Sequence, residues 1–141
     1  MNEAPRAALD IKEYIEAIIH NYPPLRESRP YLNIAVNDAG VVTFGGNLRT
    51  AIIRRVLVDS TRQVPGVTVV NDDLLYDDDA LLVAAGRLLP PGVYLTAVNG
   101  ALVLSGRALE PEQAAGLQEK IAAIPGVRVV KTDFYALQAA G

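Results

Sequence analysis

Val64-Pro65-Gly66-Val67-Thr68-Val69-Val70 and, sixty residues on, Ile124-Pro125-Gly126-Val127-Arg128-Val129-Val130 decide the reading of this chain. Each phrase closes a helix-like segment, and each such segment follows an apolar run ending in glycine. Those runs are Val42-Thr43-Phe44-Gly45-Gly46 and Leu102-Val103-Leu104-Ser105-Gly106, again sixty apart. One structural unit is therefore written twice.

Working outward, Asp10 reads as an N-cap for a first helix with Ile11, Tyr14, Ile15, Ile18 and Ile19 on one face. Pro23-Pro24 stops that helix and Leu25 to Pro30 reads as a polar linker. Tyr31 to Val36 and Val41 to Phe44 form a hairpin around Asn37-Asp38-Ala39-Gly40, and Gly45-Gly46 is expected to break its second strand. Thr50 caps a helix whose apolar side is Ile53, Val56, Leu57 and Val64, before a buried-looking strand, Val67 to Val70.

The second copy opens on Asp77-Asp78-Asp79, acids suited to cap a helix and oppose its dipole. The helix, Ala80 to Leu89, ends at Pro90-Pro91-Gly92, and Val93 to Val98 is a strand. Asn99-Gly100 marks a tight hairpin, because both residues tolerate positive φ. Leu102 to Ser105 returns and Gly106 breaks it. Pro111 and Glu112 start a helix with the stripe Leu117, Ile121, Ile124. Val127 to Phe134 is the last strand and Ala136 to Gly141 a short tail. The fold expected is α+β: two tandem αββαβ units, each a three-stranded sheet covered by two helices, over residues 1–76 and 77–141.

Composition fits this. Of 141 residues, 50% are hydrophobic and 21% charged, a globular balance. A unit of about seventy residues is near the lower limit for its own core, so the copies are expected to touch. There is no cysteine and hence no disulfide or thiol chemistry. The net charge of −3 gives no attraction to nucleic acid. No apolar run reaches the roughly 18 residues that cross a bilayer. The N-terminus lacks the pattern of a secretory signal, so the placement expected is cytoplasmic as written, or periplasmic and envelope if the sequence is an excerpt.

In register, the hairpin Val98 to Gly106, the helix after it and Ile124 to Val130 resemble the BON domain, and so do Gly40 to Gly46 and Val64 to Val70. The first copy carries a longer turn, Asn37 to Gly40, in place of the family's usual Asn-Gly. The resemblance spans nearly all of residues 10–135. It implies an αββαβ binding module without catalysis, and members are often tandem envelope proteins, some linked to phospholipid.

No catalytic set, cofactor loop or metal cluster is legible. His20 is the sole histidine and fits a helix end, while Asp72-Asp73 and Asp77 to Asp79 lack EF-hand spacing and suit capping. The anomaly is Ala80 to Leu89, apolar all round except Arg87. Such a helix is either wedged between the copies or docks a partner through Leu81, Leu82, Val83, Arg87 and Leu88. Arg54, Arg55 and Arg62 make the preceding helix locally basic, and residues 1–71 carry +1 against −4 for the rest. A solvated face is the plain reading, and an anionic ligand or the acidic half of a second molecule the sharper one. The function expected is a protein-binding or self-associating module. The alternatives are a peripheral phospholipid binder, with acids beside the apolar helix opposing anionic lipid, and a small-ligand or ion sensor.

Overall fold

The computed structural model describes residues 4–135. Each half has a three-stranded sheet in which the middle strand pairs antiparallel with the strand before it and parallel with the strand after it. The first unit runs α1 (Ala4–Asn21), α2 (Pro23–Ser28), a 3-10 turn (Arg29–Tyr31), β1 (Leu32–Val36), β2 (Val41–Leu48), α3 (Ala51–Arg62) and β3 (Val69–Asp77). The second runs α4 (Asp78–Gly86), β4 (Val93–Val98), β5 (Ala101–Arg107), α5 (Pro111–Ala122) and β6 (Val129–Tyr135). This is the expected α+β architecture of two αββαβ units.

The parallel registers repeat with the sequence spacing. Val41 pairs with Val69 in one sheet, and Ala101 with Val129 in the other. Three glycine pairs sixty apart share a left-handed backbone: Gly40 and Gly100 (φ 81° and 80°), Gly46 and Gly106 (105° and 101°), Gly66 and Gly126 (94° and 96°). The reason is close approach. A Cβ at Gly40 or Gly100 would run into the carbonyl oxygen of Gly66 or Gly126, so the hairpin tip lies directly on the Pro-Gly turn. The same reason corrects the expectation that Gly45-Gly46 and Gly106 break their strands. Both strands continue through them, and at Gly46 and Gly106 the missing side chains admit the carbonyls of Tyr31 and Gly92.

Each unit packs its helices on one sheet face. Ile11, Ile15 and Ile19 of α1 and Ile53, Leu57 and Val58 of α3 enclose Val42, Phe44 and Leu48 of β2. In the second core, Leu81 and Ala85 of α4 and Leu117 and Ile121 of α5 cover Leu102 and Leu104 of β5. Local chemistry sets several helix starts. Thr50 accepts from the Ile53 amide at 3.1 Å, Asp77 accepts from Ala80 at 2.9 Å, and Pro111 occupies the first position of α5.

Other boundaries differ from expectation. Asp10 lies inside α1 and does not cap it. The linker Leu25 to Pro30 is mostly helical, because Pro23-Pro24 opens α2 and Leu25 and Ser28 are wholly buried. The Glu16 carboxylate of α1 holds Arg29 through two bonds of 2.6 and 2.8 Å and fixes the turn after α2. The strand expected to be buried from Val67 begins at Val69 and, as a sheet edge, is largely exposed until Leu75. It carries one extra residue between the pairs Thr43–Asn71 and Gly45–Leu74, a bulge. The tail from Ala136 lies outside the described residues.

Candidate interaction surfaces

The two units meet end to end. β3 passes into α4 with no linker, since Asp77 ends the strand and caps the helix. The β4–β5 hairpin tip and the Pro125-Gly126 turn of the second unit then face the opposite end of the first sheet, where β1 starts and β2 and β3 finish. Ser28 Oγ donates to Asn99 Oδ1 at 2.7 Å, and Asn47 Nδ2 donates to the Gly126 carbonyl at 2.7 Å. The Arg128 guanidinium stacks 4.3 Å over the Tyr31 ring and donates through Nε to the Asn99 carbonyl. Gly126 packs on the Tyr76 ring so closely that a side chain there would collide with it.

The acidic triplet finishes this joint. Buried Asp78 accepts from the Asn99 and Gly100 amides at 2.8 and 2.9 Å and pairs with Arg49 at 3.3 Å. Asp79 accepts from the Ala51 amide at 2.9 Å, tying the start of α4 to the start of α3. Capping was legible for these acids. The clamp on the Asn99-Gly100 turn was not, because it joins residues 21 and 22 positions apart.

The apolar helix is not a wedge between the units. Leu81 and Ala85 face the core of the second unit, at 2% and 0% exposure, while Val83 is 59% and Leu88 40% exposed. Leu82 is half-buried and packs on the same core, and Arg87 is exposed. Leu81 therefore has no surface to offer a partner, whereas Val83, Arg87 and Leu88 do. Leu88, Leu89 and Pro90 line an open groove of about 340 Å³ against Glu112, Gln113 and Leu117 of α5.

The three arginines of α3 separate into two kinds. Arg54 is bound, at 3.0 Å to Asp72 and 3.6 Å to Asp77. Arg55 is exposed, and Arg62 pairs only with exposed Asp59 at 3.3 Å. Arg54 is thus a tie from α3 to the end of β3. Around the Glu16–Arg29 pair, the hydrogen bond to Arg29 holds the Glu16 carboxyl below its usual range. The same bond raises the Arg29 guanidinium. No group of three or more candidate metal ligands occurs among the described residues, and no helix there is long and apolar enough to cross a membrane.

The chain stacks helices on three-stranded sheets in αββαβ order, with Pro-Gly turns against its hairpin tips. Residues 10–78 match the family described as BON domain. No curated protein matches it. Among solved structures it is similar to the C-terminal domain of CdsD, the structural protein of the Type III secretion system of Chlamydia trachomatis. That likeness has 23% identity and a TM-score of 0.66, over 86% of this chain and 62% of the other. The chain thus spans about three-fifths of that structure, and the likeness is one of fold. A second CdsD structure (15% identity, TM-score 0.35, 91% of this chain and 92% of that one) is more distant. So is the periplasmic domain of PrgH from S. typhimurium (17%, 0.34, 92% and 83%). None of these likenesses supports the cytoplasmic placement.

Proposed function

We propose that this chain is a non-enzymatic double-BON module, with residues 77–141 as the second BON-like domain, whose work is to hold proteins together. The carrying observation is the joint between the units. It is made by contacts from one unit to the other: Asn47 donates to the Gly126 carbonyl, Ser28 to the Asn99 side chain, and Arg128 stacks on the Tyr31 ring. A unit that recognises a second unit at its end is already a protein-binding device, and the partner is another protein or a second copy. The neighbouring CdsD fold, from a structural protein, suits a part that serves assembly.

The phospholipid reading draws on exposed Val83 and Leu88. Against it, Asp78 and Asp79 sit at the start of the same helix and would be repelled by an anionic surface. Two measurements on the purified chain decide between them: sedimentation velocity at rising concentration, and co-sedimentation with neutral and anionic vesicles at low salt. Mass that grows with concentration, with no pelleting on vesicles, supports assembly. A constant monomer mass with pelleting overturns it in favour of lipid.

A further inference from the structure

The joint inside the chain uses opposite ends of two units of one build. The hairpin end of the second unit sits on the strand-finishing end of the first. Each unit has both ends, and the joint uses one of each. The leftover hairpin end is that of the first unit, with Asn37, Asp38, Ala39, Pro65, Gly66 and Thr68 all exposed. The leftover receiving end is that of the second unit. There Pro91, Gly92, Arg107 and Ala108 are exposed, and a groove of about 320 Å³ runs beside Pro91 and Arg107.

The leftover hairpin end repeats two hydrogen bonds of the used one. The Thr68 amide donates to the Gly40 carbonyl at 2.9 Å, as the Arg128 amide does to Gly100 at 2.8 Å. Thr68 Oγ1 donates to the Ala39 carbonyl, as Arg128 Nε does to Asn99. The position sixty residues after Asn47, the donor of the joint, is Arg107, another donor with a longer reach. The position sixty before its acceptor Gly126 is Gly66, whose carbonyl receives no hydrogen bond among the described residues. Asp38 stands in the leftover hairpin and Arg107 on the leftover receiving end, where Glu110 lines the same groove, and neither Asp38 nor Arg107 has an ion partner among the described residues.

Resting on the assembly reading above, we infer that a second copy of this chain places its 37–40 hairpin on the Arg107 end of the first, joining molecules head to tail. Arg107 donates to the Gly66 carbonyl and faces Asp38. The contact is heterologous, so it repeats from molecule to molecule and closes into a ring only if the rotation per step permits. It lacks counterparts of the Ser28–Asn99 bond and the Arg128–Tyr31 stack, because Ala39 and Thr68 stand where the second unit has Asn99 and Arg128. The intermolecular joint is therefore weaker than the internal one and depends on concentration.

The test is sedimentation velocity of the full chain at rising concentration, for wild type, Arg107→Glu and Asp38→Arg/Arg107→Glu, with circular dichroism to check folding. Wild type should gain mass with concentration. Arg107→Glu should need at least about tenfold more protein to do so, because it sets like charges face to face. The double exchange should recover association. Association undiminished in Arg107→Glu overturns this joint and leaves the broader assembly reading standing. A wild type that stays monomeric overturns the joint as well, and vesicle pelleting then decides the broader reading.

Discussion

Replacing Gly126 by alanine should loosen the joint between units, and replacing Gly66 supplies its internal control. The two glycines hold nearly the same backbone, φ 96° and 94°. A side chain there costs about 1–2 kcal/mol from the left-handed conformation alone. The gain from stiffening the unfolded chain is the same for both. Their surroundings differ. At Gly66 a Cβ would meet only the end of Ile11, at 3.2 Å from Cδ1, which can rotate away. At Gly126 it would lie 2.7 and 2.8 Å from Cδ1 and Cβ of Tyr76 in the other unit, which is anchored in β3. Such overpacking costs about 1–3 kcal/mol more. Gly66→Ala should thus lose about 1–2 kcal/mol and Gly126→Ala about 2–5. Urea unfolding followed by circular dichroism measures both. In a Tyr76→Ala background the excess at Gly126 should vanish. Equal losses at the two glycines, or an excess that survives removal of Tyr76, would refute the end-to-end joint.

Three other outcomes follow from named contacts. Asp78→Ala leaves the buried Asn99 and Gly100 amides without their acceptor. It should cost about 2–5 kcal/mol in urea unfolding, from two unpaired donors. Leu81→Asp should unfold the second unit, because it puts a charge where Leu81 is 2% exposed, whereas Val83→Asp, at 59% exposure, should change stability by less than about 1 kcal/mol. The pair is read by circular dichroism melting. Glu16 has its folded pKa depressed by Arg29, so its contribution is present above the ordinary value of 4.5 and is lost as pH falls through the folded value. Glu16→Gln should therefore flatten the stability–pH curve below 4.5, and cost less than about 1 kcal/mol at neutral pH because the pair is partly solvated. Unfolding midpoints from pH 3 to 7 check this.

What could be read from the sequence was what local chemistry fixes. Asn99-Gly100, Thr50, Asp77 and Pro111 act within three residues of themselves, and the structure places each as its chemistry requires. The sixty-residue spacing carried the double architecture because glycines at equal intervals impose equal backbones. What escaped depends on distant partners. Gly46 and Gly106 looked like breakers because the carbonyls they admit come from other segments. Leu25 to Pro30 looked like a linker because two prolines can open a helix as well as close one. The joint was invisible since its bonds span 71 and 79 residues and rest on an asparagine, a serine and an arginine with no local signature. The basic helix face also divided, because Asp72 and Asp77 reach Arg54 but not Arg55.

The most direct measurement of the account is directional cross-linking. The chain has no cysteine, so one can be placed on each leftover end, at exposed Ala39 and at exposed Ala108, in separate proteins. Mixed and treated with a short bismaleimide, Ala39→Cys and Ala108→Cys should give the mixed dimer well above either like pair. Like pairs in statistical proportion, or no cross-link at concentrations where the chain associates, would contradict the head-to-tail account.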